Sequence, residues 1–208
     1  MLYSLQSMTL VISADEIKKQ LPDYSPEKAE KFHRESARLA DKNFEIALKT
    51  SSLKEVILLC GGSASGKTEF LATHLAKKRS IILDATLSTE KGAEIKIRNT
   101  IKAKKKLVVY AVFPDDLKRA FIAFLNRDRK FGDEHFYKTH SGARKTLLWI
   151  VQQFPKININ IVESSYIENK LQFAKLAFES RKKLIDYLTG IQLTESAILT
   201  IVNKGLYE

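Results

Sequence analysis

Short apolar runs alternate with longer amphipathic stretches along this chain, the pattern of an α/β protein with a mainly parallel sheet. Five runs read as buried strands: Thr9 to Ser13, Val56 to Cys60, Ile81 to Leu83, Leu107 to Val112 and Ile157 to Val162. The last one alternates, with Ile157, Ile159 and Ile161 set against Lys156, Asn158 and Asn160, which predicts an edge strand with one wet face. Between the first two strands, Ser25-Pro26 offers an N-cap followed by a proline at the first helical position. Phe32, Leu39, Phe44, Ala47 and Leu48 then supply an apolar stripe. Further helices are predicted after Gly66, over Thr89 to Ala103, over Asp115 to Leu125 and over His140 to Gln153. From Ser165 onward the pattern reads helical to the end, broken at Thr189-Gly190 and restarted at Leu193-Thr194. The expected architecture is a three-layer α/β domain over residues 1–164, its five-stranded sheet flanked by helices, with a helical extension over 165–208 packed on the same domain.

Composition sharpens this picture in two places. A 44% hydrophobic fraction over 208 residues is enough for one well-buried core and argues against disorder. Thirty-five Lys+Arg against 24 Asp+Glu leave +11, which favours a polyanionic partner or substrate without choosing among them. A single cysteine, Cys60, excludes a disulfide scaffold and a cysteine-based zinc site, and its place at a strand end makes it a core filler. His33, His74, His135 and His140 lack metal spacing and read as structural or surface residues. No run approaches the roughly 20 apolar residues of a membrane-spanning helix. The opening Met1 to Ser13 lacks the charged start of a secretory signal and reads as a first strand of the fold. The cytoplasm is the expected compartment.

The strongest chemical signal is Gly61-Gly62-Ser63-Ala64-Ser65-Gly66-Lys67-Thr68, which fits G-x-x-x-x-G-K-[ST] between a predicted strand and a predicted helix. Glycines let the backbone turn so that successive N–H groups face a phosphate, and a helix N-terminus adds partial positive charge. Lys67 has the reach for the β/γ-phosphates, and the Thr68 hydroxyl is a ligand suited to Mg²⁺, which keeps several waters and needs few protein donors. The motif predicts a P-loop NTPase fold and a nucleoside triphosphate cofactor, ATP or GTP, with Mg²⁺.

In open α/β sheets ligands sit beyond the carboxyl ends of the strands. Asp15 follows the first strand and Asp84 the third, so two carboxylates converge on the glycine loop. A phosphotransferase needs one such group to orient an acceptor hydroxyl and one to help hold the metal. Asp115 and Asp116 follow the fourth strand at a helix start and read as caps. Arg127 and Arg129, in the polar stretch before Gly132, are candidate lid arginines for the transferring phosphoryl group, with Arg144 one helix further on.

Five segments together resemble the zeta toxin family of P-loop kinases: Ser13-Ala-Asp-Glu-Ile-Lys-Lys-Gln-Leu-Pro22, Phe32-His-Arg-Glu-Ser-Ala37, Gly61 to Thr68, Leu83-Asp-Ala-Thr86 and Arg127-Asp-Arg129. The resemblance covers roughly residues 9–163. It implies ATP-dependent phosphorylation of a hydroxyl, in known members on a nucleotide-sugar such as UDP-N-acetylglucosamine. It further implies Asp15 as catalytic base, Glu35 and Ser36 on a substrate-facing helix, Asp84 and Thr86 on a substrate or metal turn, and Arg127 and Arg129 as phosphate clamps. It also brings in an antitoxin-like protein as a partner. Two features depart from the family. Ala85 stands where a glycine is usual, and Ser13 where an acidic residue is often found. The chain order is also swapped: the acidic βα unit precedes the glycine-loop unit. Such a swap keeps right-handed crossovers if the third strand lies between the first two, so the expected spatial order is 1-3-2-4-5.

The reading favoured is a small-molecule kinase acting on a phosphorylated acceptor. A polynucleotide or RNA-end kinase stays open because Lys96, Arg98, Lys102, Lys104, Lys105 and Lys106 lie close together, although that run also suits a solvated helix end. A nucleotide-binding switch or interaction protein without phosphotransfer is the third alternative.

Overall fold

The computed structural model describes residues 9–168 and 170–204. Residues 1–8, read above as part of a first strand, and residues 205–208 at the end of the tail lie outside the described residues. The order of elements is β1 (Leu10–Ser13), α1 (Ala14–Lys18), a 3₁₀ turn (Pro26–Lys28), α2 (His33–Thr50), β2 (Glu55–Cys60), α3 (Lys67–Phe70, continued as a π-helical turn Leu71–Leu75) and β3 (Ser80–Asp84). Then follow α4 (Glu90–Lys102), β4 (Lys106–Pro114), α5 (Leu117–Leu125), α6 (Asp133–Gln153), β5 (Asn158–Ile167), β6 (Lys170–Leu176), α7 (Arg181–Gly190) and α8 (Glu195–Asn203).

Six strands form one sheet in the order β1-β3-β2-β4-β5-β6. The first five are parallel and take the order expected from the sequence. Central strands β2, β3 and β4 are apolar on both faces because both faces are covered. Val56, Leu58, Cys60, Ile81, Leu83, Val109 and Ala111 pack with residues of α2, α4, α6 and α7. Ile57, Leu59, Ile82, Val108 and Val112 pack with Phe70 and Leu75 from α3 and its π turn. A third cluster joins α5, α6 and α8 through Phe121, Phe124, Phe136, Ile198 and Val202.

Five expectations need correction. The sheet has six strands, not five, and β5 is not an edge: β6 pairs with it antiparallel, from Ile167 beside Lys170 to Ile161 beside Leu176. Residues 165–167 and 170–176 are therefore strand rather than helix. Leu171 and Phe173 share one partly buried side while Lys170 and Gln172 are exposed, a period of two that a half-exposed edge strand satisfies. In addition, the helix expected from His140 begins at Asp133, and the helix expected from Ser25-Pro26 is only a 3₁₀ turn there, with α2 starting at His33. Asp116 caps α5 by accepting from the N–H groups of Lys118 and Arg119, while Asp115 pairs with the Arg119 guanidinium.

Candidate active site

Parallel pairing brings the carboxyl ends of β1, β2 and β3 to one edge, with Ser13 in register with Asp84. The chain leaves these strands through Asp15, through the Gly61–Gly66 loop and through Asp84-Ala85-Thr86. The Gly61 N–H donates to the Thr86 carbonyl (3.2 Å), tying the second and third exits together. One open cleft is lined by all three exits: Asp15; Ser63, Ala64, Ser65, Lys67 and Thr68; and Asp84 and Thr86, with Arg127 and Arg129 across from them.

The glycine loop has the backbone its sequence requires. Gly66 caps α3 with φ 85, a left-handed conformation that costs glycine nothing. From the other side of the sheet, the β5 residue Ser164 donates through Oγ to the Ser65 carbonyl (2.9 Å). The Lys67 ammonium folds into the loop, donating to the carbonyls of Gly61 (2.8 Å) and Gly62 (2.7 Å). Burial pushes the Lys67 pKa below its ordinary value, opposed by the charge of Asp84. Burial likewise pushes the Asp84 carboxyl upward, opposed by Lys67.

Across the cleft, the loop between α5 and α6 is pinned to the segment before α2. The Lys130 N–H donates to the Pro26 carbonyl (2.9 Å), and the Gly132 N–H to Glu30 Oε2 (3.2 Å). That anchoring carries Arg129 Nη1 to 2.7 Å from Asp15 Oδ2. Lys18, one helical turn after Asp15, is 1% exposed, with its Nζ 3.3 Å from Asp15 Oδ1 and 4.7 Å from the centre of the Phe131 ring. Burial alone would raise the Asp15 pKa, but Arg129, then Lys18 and Arg127, outweigh it and hold the carboxyl below its ordinary 3.8. Burial and the neighbouring Arg129 charge lower the Arg127 pKa.

Next to this pair lies an aromatic corner. Phe131 stacks on His135 at 4.4 Å, and His33 meets both edge-on at 5.5 and 5.2 Å. His33 and His135 line the cleft beside Asp15. Burial lowers the pKa of His33 and takes that of His135 down to about 4, so His135 is neutral at physiological pH.

Not every candidate from the sequence reaches the cleft. Helix α2 presents His33, Ala37, Ala40 and Asp41 to it, a stripe of one helical face. Glu35 falls outside that stripe and is exposed. Ser36 is buried and donates to the His33 carbonyl (3.0 Å). Arg144 is 4% exposed, turned into the core with its guanidinium 5.0 Å from the Phe113 ring centre. Burial brings its pKa down to about 10. Conversely, Lys18, His33, Phe131 and His135 were not singled out for the site by sequence. The available signals were the i, i+3 spacing of Lys18 from Asp15 and the presence of Phe131 in the arginine segment.

A second pocket adjoins the loop on the β5 side, lined by Ala64, Gly66, Arg119, Arg127, Ser164 and Tyr166 among others. There the Arg119 guanidinium lies 5.3 Å from the centre of the Tyr166 ring. Of the basic run, Lys96 pairs with Asp41 at the cleft, Arg98 with Glu94 and Lys106 with Glu55. Lys105 is bonded to the carbonyls of Ser51 and Leu53.

The Thr68 hydroxyl and the Asp84 carboxylate both line the cleft. They are hard oxygen donors, and two of them fit a Mg²⁺ that takes its remaining ligands from water and phosphate. No helix among the described residues is long and apolar enough to cross a membrane.

No protein-family model matches the chain, and no curated protein matches it. Solved structures do. A chain of the AvrRxo1-ORF1:-ORF2 structure with ATP aligns with a TM-score of 0.52 at 13% identity, covering 83% of this chain and 75% of that one. A native AvrRxo1-ORF1:-ORF2 complex gives 0.48 at 12% identity, over 80% of this chain and 74% of that one. A third structure, with sulphate ions, gives 0.47 at 11% identity, over 87% and 91%. The first of these likenesses shows a shared α/β fold.

Proposed function

We propose that this protein is a P-loop kinase that transfers the γ-phosphoryl group of ATP to a hydroxyl of a nucleotide-sugar or similar phosphorylated metabolite, as the resemblance to zeta toxins implies. The observation that carries the reading is the shared cleft: a carboxylate held ionised by Arg129 after β1 lines the same cleft as the lysine of a complete glycine loop after β2. Neither a pure binding module nor a structural protein needs that pairing. The fold neighbour with ATP supports a nucleotide in this architecture.

In this reading the triphosphate lies along Gly61 to Thr68, and Lys67 leaves the loop carbonyls for the β/γ-phosphate oxygens. The nucleoside extends toward the pocket of Arg119 and Tyr166, whose flat groups suit a base. Thr68 and Asp84 would hold Mg²⁺, which supplies charge neutralisation at the phosphates. The acceptor hydroxyl lies between Asp15 and the γ-phosphorus. Its oxygen forms the new P–O bond, its proton passes to Asp15, and the bond to the β-phosphate oxygen breaks to release ADP. Arg129 holds Asp15 ionised until a phosphoryl oxygen offers the guanidinium a competing partner. Arg127 and Arg129 then face the charge of the transferring group. Asp41 and Lys96 line the far part of the cleft, where the acceptor's polar groups would sit. An antitoxin-like protein remains the proposed macromolecular partner.

The test is an unbiased acceptor screen. The protein is incubated with Mg²⁺·ATP and a metabolite extract, and mass spectrometry looks for an ion gaining one phosphoryl group. Such an ion is expected with the native protein and absent with Lys67→Ala. A product retained by Lys67→Ala, or ADP release with no phosphorylated metabolite, would refute the reading. An acceptor found only among polynucleotides would replace the small-molecule assignment.

A further inference from the structure

Helix α6 grips the glycine loop from behind. The Ser63 N–H donates to Thr139 Oγ1 (3.1 Å), and the Ser63 carbonyl lies 2.8 Å from His140 Nε2. His140 is completely buried, and its ring is pressed so closely on Gly62 that a Cβ there would come within 2.3 Å of it. Gly62 is thus glycine for want of space rather than for an unusual φ.

The other ring nitrogen fixes the direction of these bonds. His140 Nδ1 lies 3.3 Å from Arg144 Nη1, and a guanidinium can only donate. Nδ1 is therefore the acceptor and Nε2 carries the proton, donated to the Ser63 carbonyl. Arg144 also donates to the His140 carbonyl (3.1 Å), but no carboxylate among the described residues acts on its charge, and its Nε has no hydrogen-bond partner. Burying a cation without a counter-charge is costly. Its placement calls for another reason.

The chain of bonds from Arg144 Nη–H to His140 and on to the Ser63 carbonyl supplies one. Successive hydrogen bonds polarise one another in a buried setting. A carbonyl that accepts such a bond makes the N–H of its own peptide a stronger donor, and here that N–H belongs to Ala64, which lines the cleft. Ala64 adopts φ 59, left-handed for a residue with a side chain, so its geometry has to be imposed by neighbours.

We propose that His140, backed by Arg144, is a positioning residue for the nucleotide: it holds the Gly62–Ala64 backbone in the triphosphate-binding shape and polarises the Ala64 N–H toward phosphate. The inference rests on the reading of Gly61 to Thr68 as a phosphate loop. Thr139 holds the preceding peptide by accepting from the Ser63 N–H.

Equilibrium ATP binding, measured by calorimetry with Mg²⁺ on the full chain beside thermal melting, tests it without any acceptor. His140→Met keeps the volume and loses both bonds, so the loop loses its imposed shape and the Ala64 N–H its polarisation, and ATP should bind roughly tenfold more weakly. His140→Gln has an amide N–H for Ser63 and an oxygen for Arg144, and should restore affinity to within about threefold of the native protein. Arg144→Met leaves the imidazole and its packing in place at the cost of one unpaired buried acceptor, so it should melt only a few degrees below the native protein, yet bind ATP about threefold or more weakly. Native ATP affinity in Arg144→Met, or in a folded His140→Met, would overturn the proposal, as would equal weakness in folded Gln and Met variants. If His140→Met does not fold, Arg144→Met decides alone. A native protein that fails to bind ATP overturns the kinase reading and this inference with it, an outcome distinct from unchanged affinity in the variants.

Discussion

Asp15→Asn separates the role of a proton acceptor from every other role Asp15 has. Asparagine keeps the shape and can still accept a hydrogen bond from Arg129 or Lys18, but it has neither the charge nor the basicity. Asp15 lies 2.7 Å from Arg129 Nη1, with side chains 37% and 26% exposed. Two unit charges about 4 Å apart attract by about 4 kcal/mol near a protein surface. Solvent screening of groups this exposed cuts the stability at stake to about 1 kcal/mol, or about 2–4 °C in Tm for a chain of this size. The glycine loop is untouched and the cleft gains net positive charge, so ATP should bind as well or better. Turnover should fall by roughly 10²- to 10⁴-fold, the usual contribution of a positioned general base. The assay is single-turnover formation of the phosphorylated metabolite at saturating ATP, with ATP affinity and Tm measured on the same preparation. Turnover within about threefold of native would remove Asp15 from the chemistry. So would a loss that merely tracks weaker ATP binding, because the kcat effect is what identifies a base.

Other predictions follow from the same geometry. A base works when ionised, so activity is lost as pH falls through the Asp15 pKa, which Arg129 and Lys18 hold below its ordinary 3.8. Native kcat/KM should therefore stay level on mild acidification as far as Asp15 governs it, whereas Arg129→Gln should move the acid limb to higher pH. A pH–rate profile with an unmoved limb would contradict this. Burial raises the Cys60 thiol pKa to about 12. Native protein at pH 8 should thus resist a thiol-specific reagent and react fully only on denaturation, and rapid native labelling would show Cys60 to be accessible. Phe173 from β6 packs on Phe70 and His74 at 5.3 and 5.4 Å. As a partly buried aromatic, its replacement by alanine should cost about 2 kcal/mol in urea unfolding; an unchanged midpoint would mean that β6 does not brace α3.

The parts legible in the sequence are those set by local pattern. Strands β2, β3 and β4 are continuous apolar runs because both of their faces are covered, and the polar residue ending each apolar run marks an exit toward the cleft. That is why Asp15, Lys67, Thr68, Asp84 and Thr86 were readable as neighbours. β6 was misread because Leu171, Phe173, Leu176 and Phe178 are spaced by two, three and two, which suits a helix nearly as well as an edge strand. Glu35 and Ser36 were carried over from a family motif, whereas the phase of α2 that buries Ala40, Phe44 and Leu48 leaves His33 and Ala37 at the cleft. Arg144 was read as a lid cation because its number follows the lid. Its place on α6, one turn after His140, turns it into the core instead. The i, i+3 spacing hints at Lys18 beside Asp15, but its burial under Phe131 depends on a residue more than a hundred positions away. The role of His140 depends on a loop more than seventy residues back (Ser63).

The proposed exchange of order between the two βα units is compatible with this site because β3 lies between β1 and β2. Each outer strand is parallel to β3, so each can feed a connection back to the bottom of the sheet without moving any strand. What the exchange alters is the length of those connections. The glycine loop returns to β3 through only α3 and its π turn, whereas Asp15 is followed by α1, the 3₁₀ turn and the eighteen-residue α2 before β2 begins. The longer connection therefore walls the Asp15 side of the cleft and supplies Pro26 and Glu30, on which the arginine loop is pinned. β1 itself is only four residues long and pairs on one side, too little to fix a catalytic side chain by itself. Asp15 is positioned instead by Lys18 beneath it and by Arg129 across from it, so the proposed acceptor wall, base and lid would form one mechanical unit. On this reasoning, a change that loosens the Glu30–Gly132 contact, such as Glu30→Ala, should impair the Asp15-dependent step while ATP affinity stays within about twofold, since the glycine loop is held independently by α6 and Ser164. Equal loss of ATP affinity and turnover in that variant would show that the two halves of the cleft are not separable.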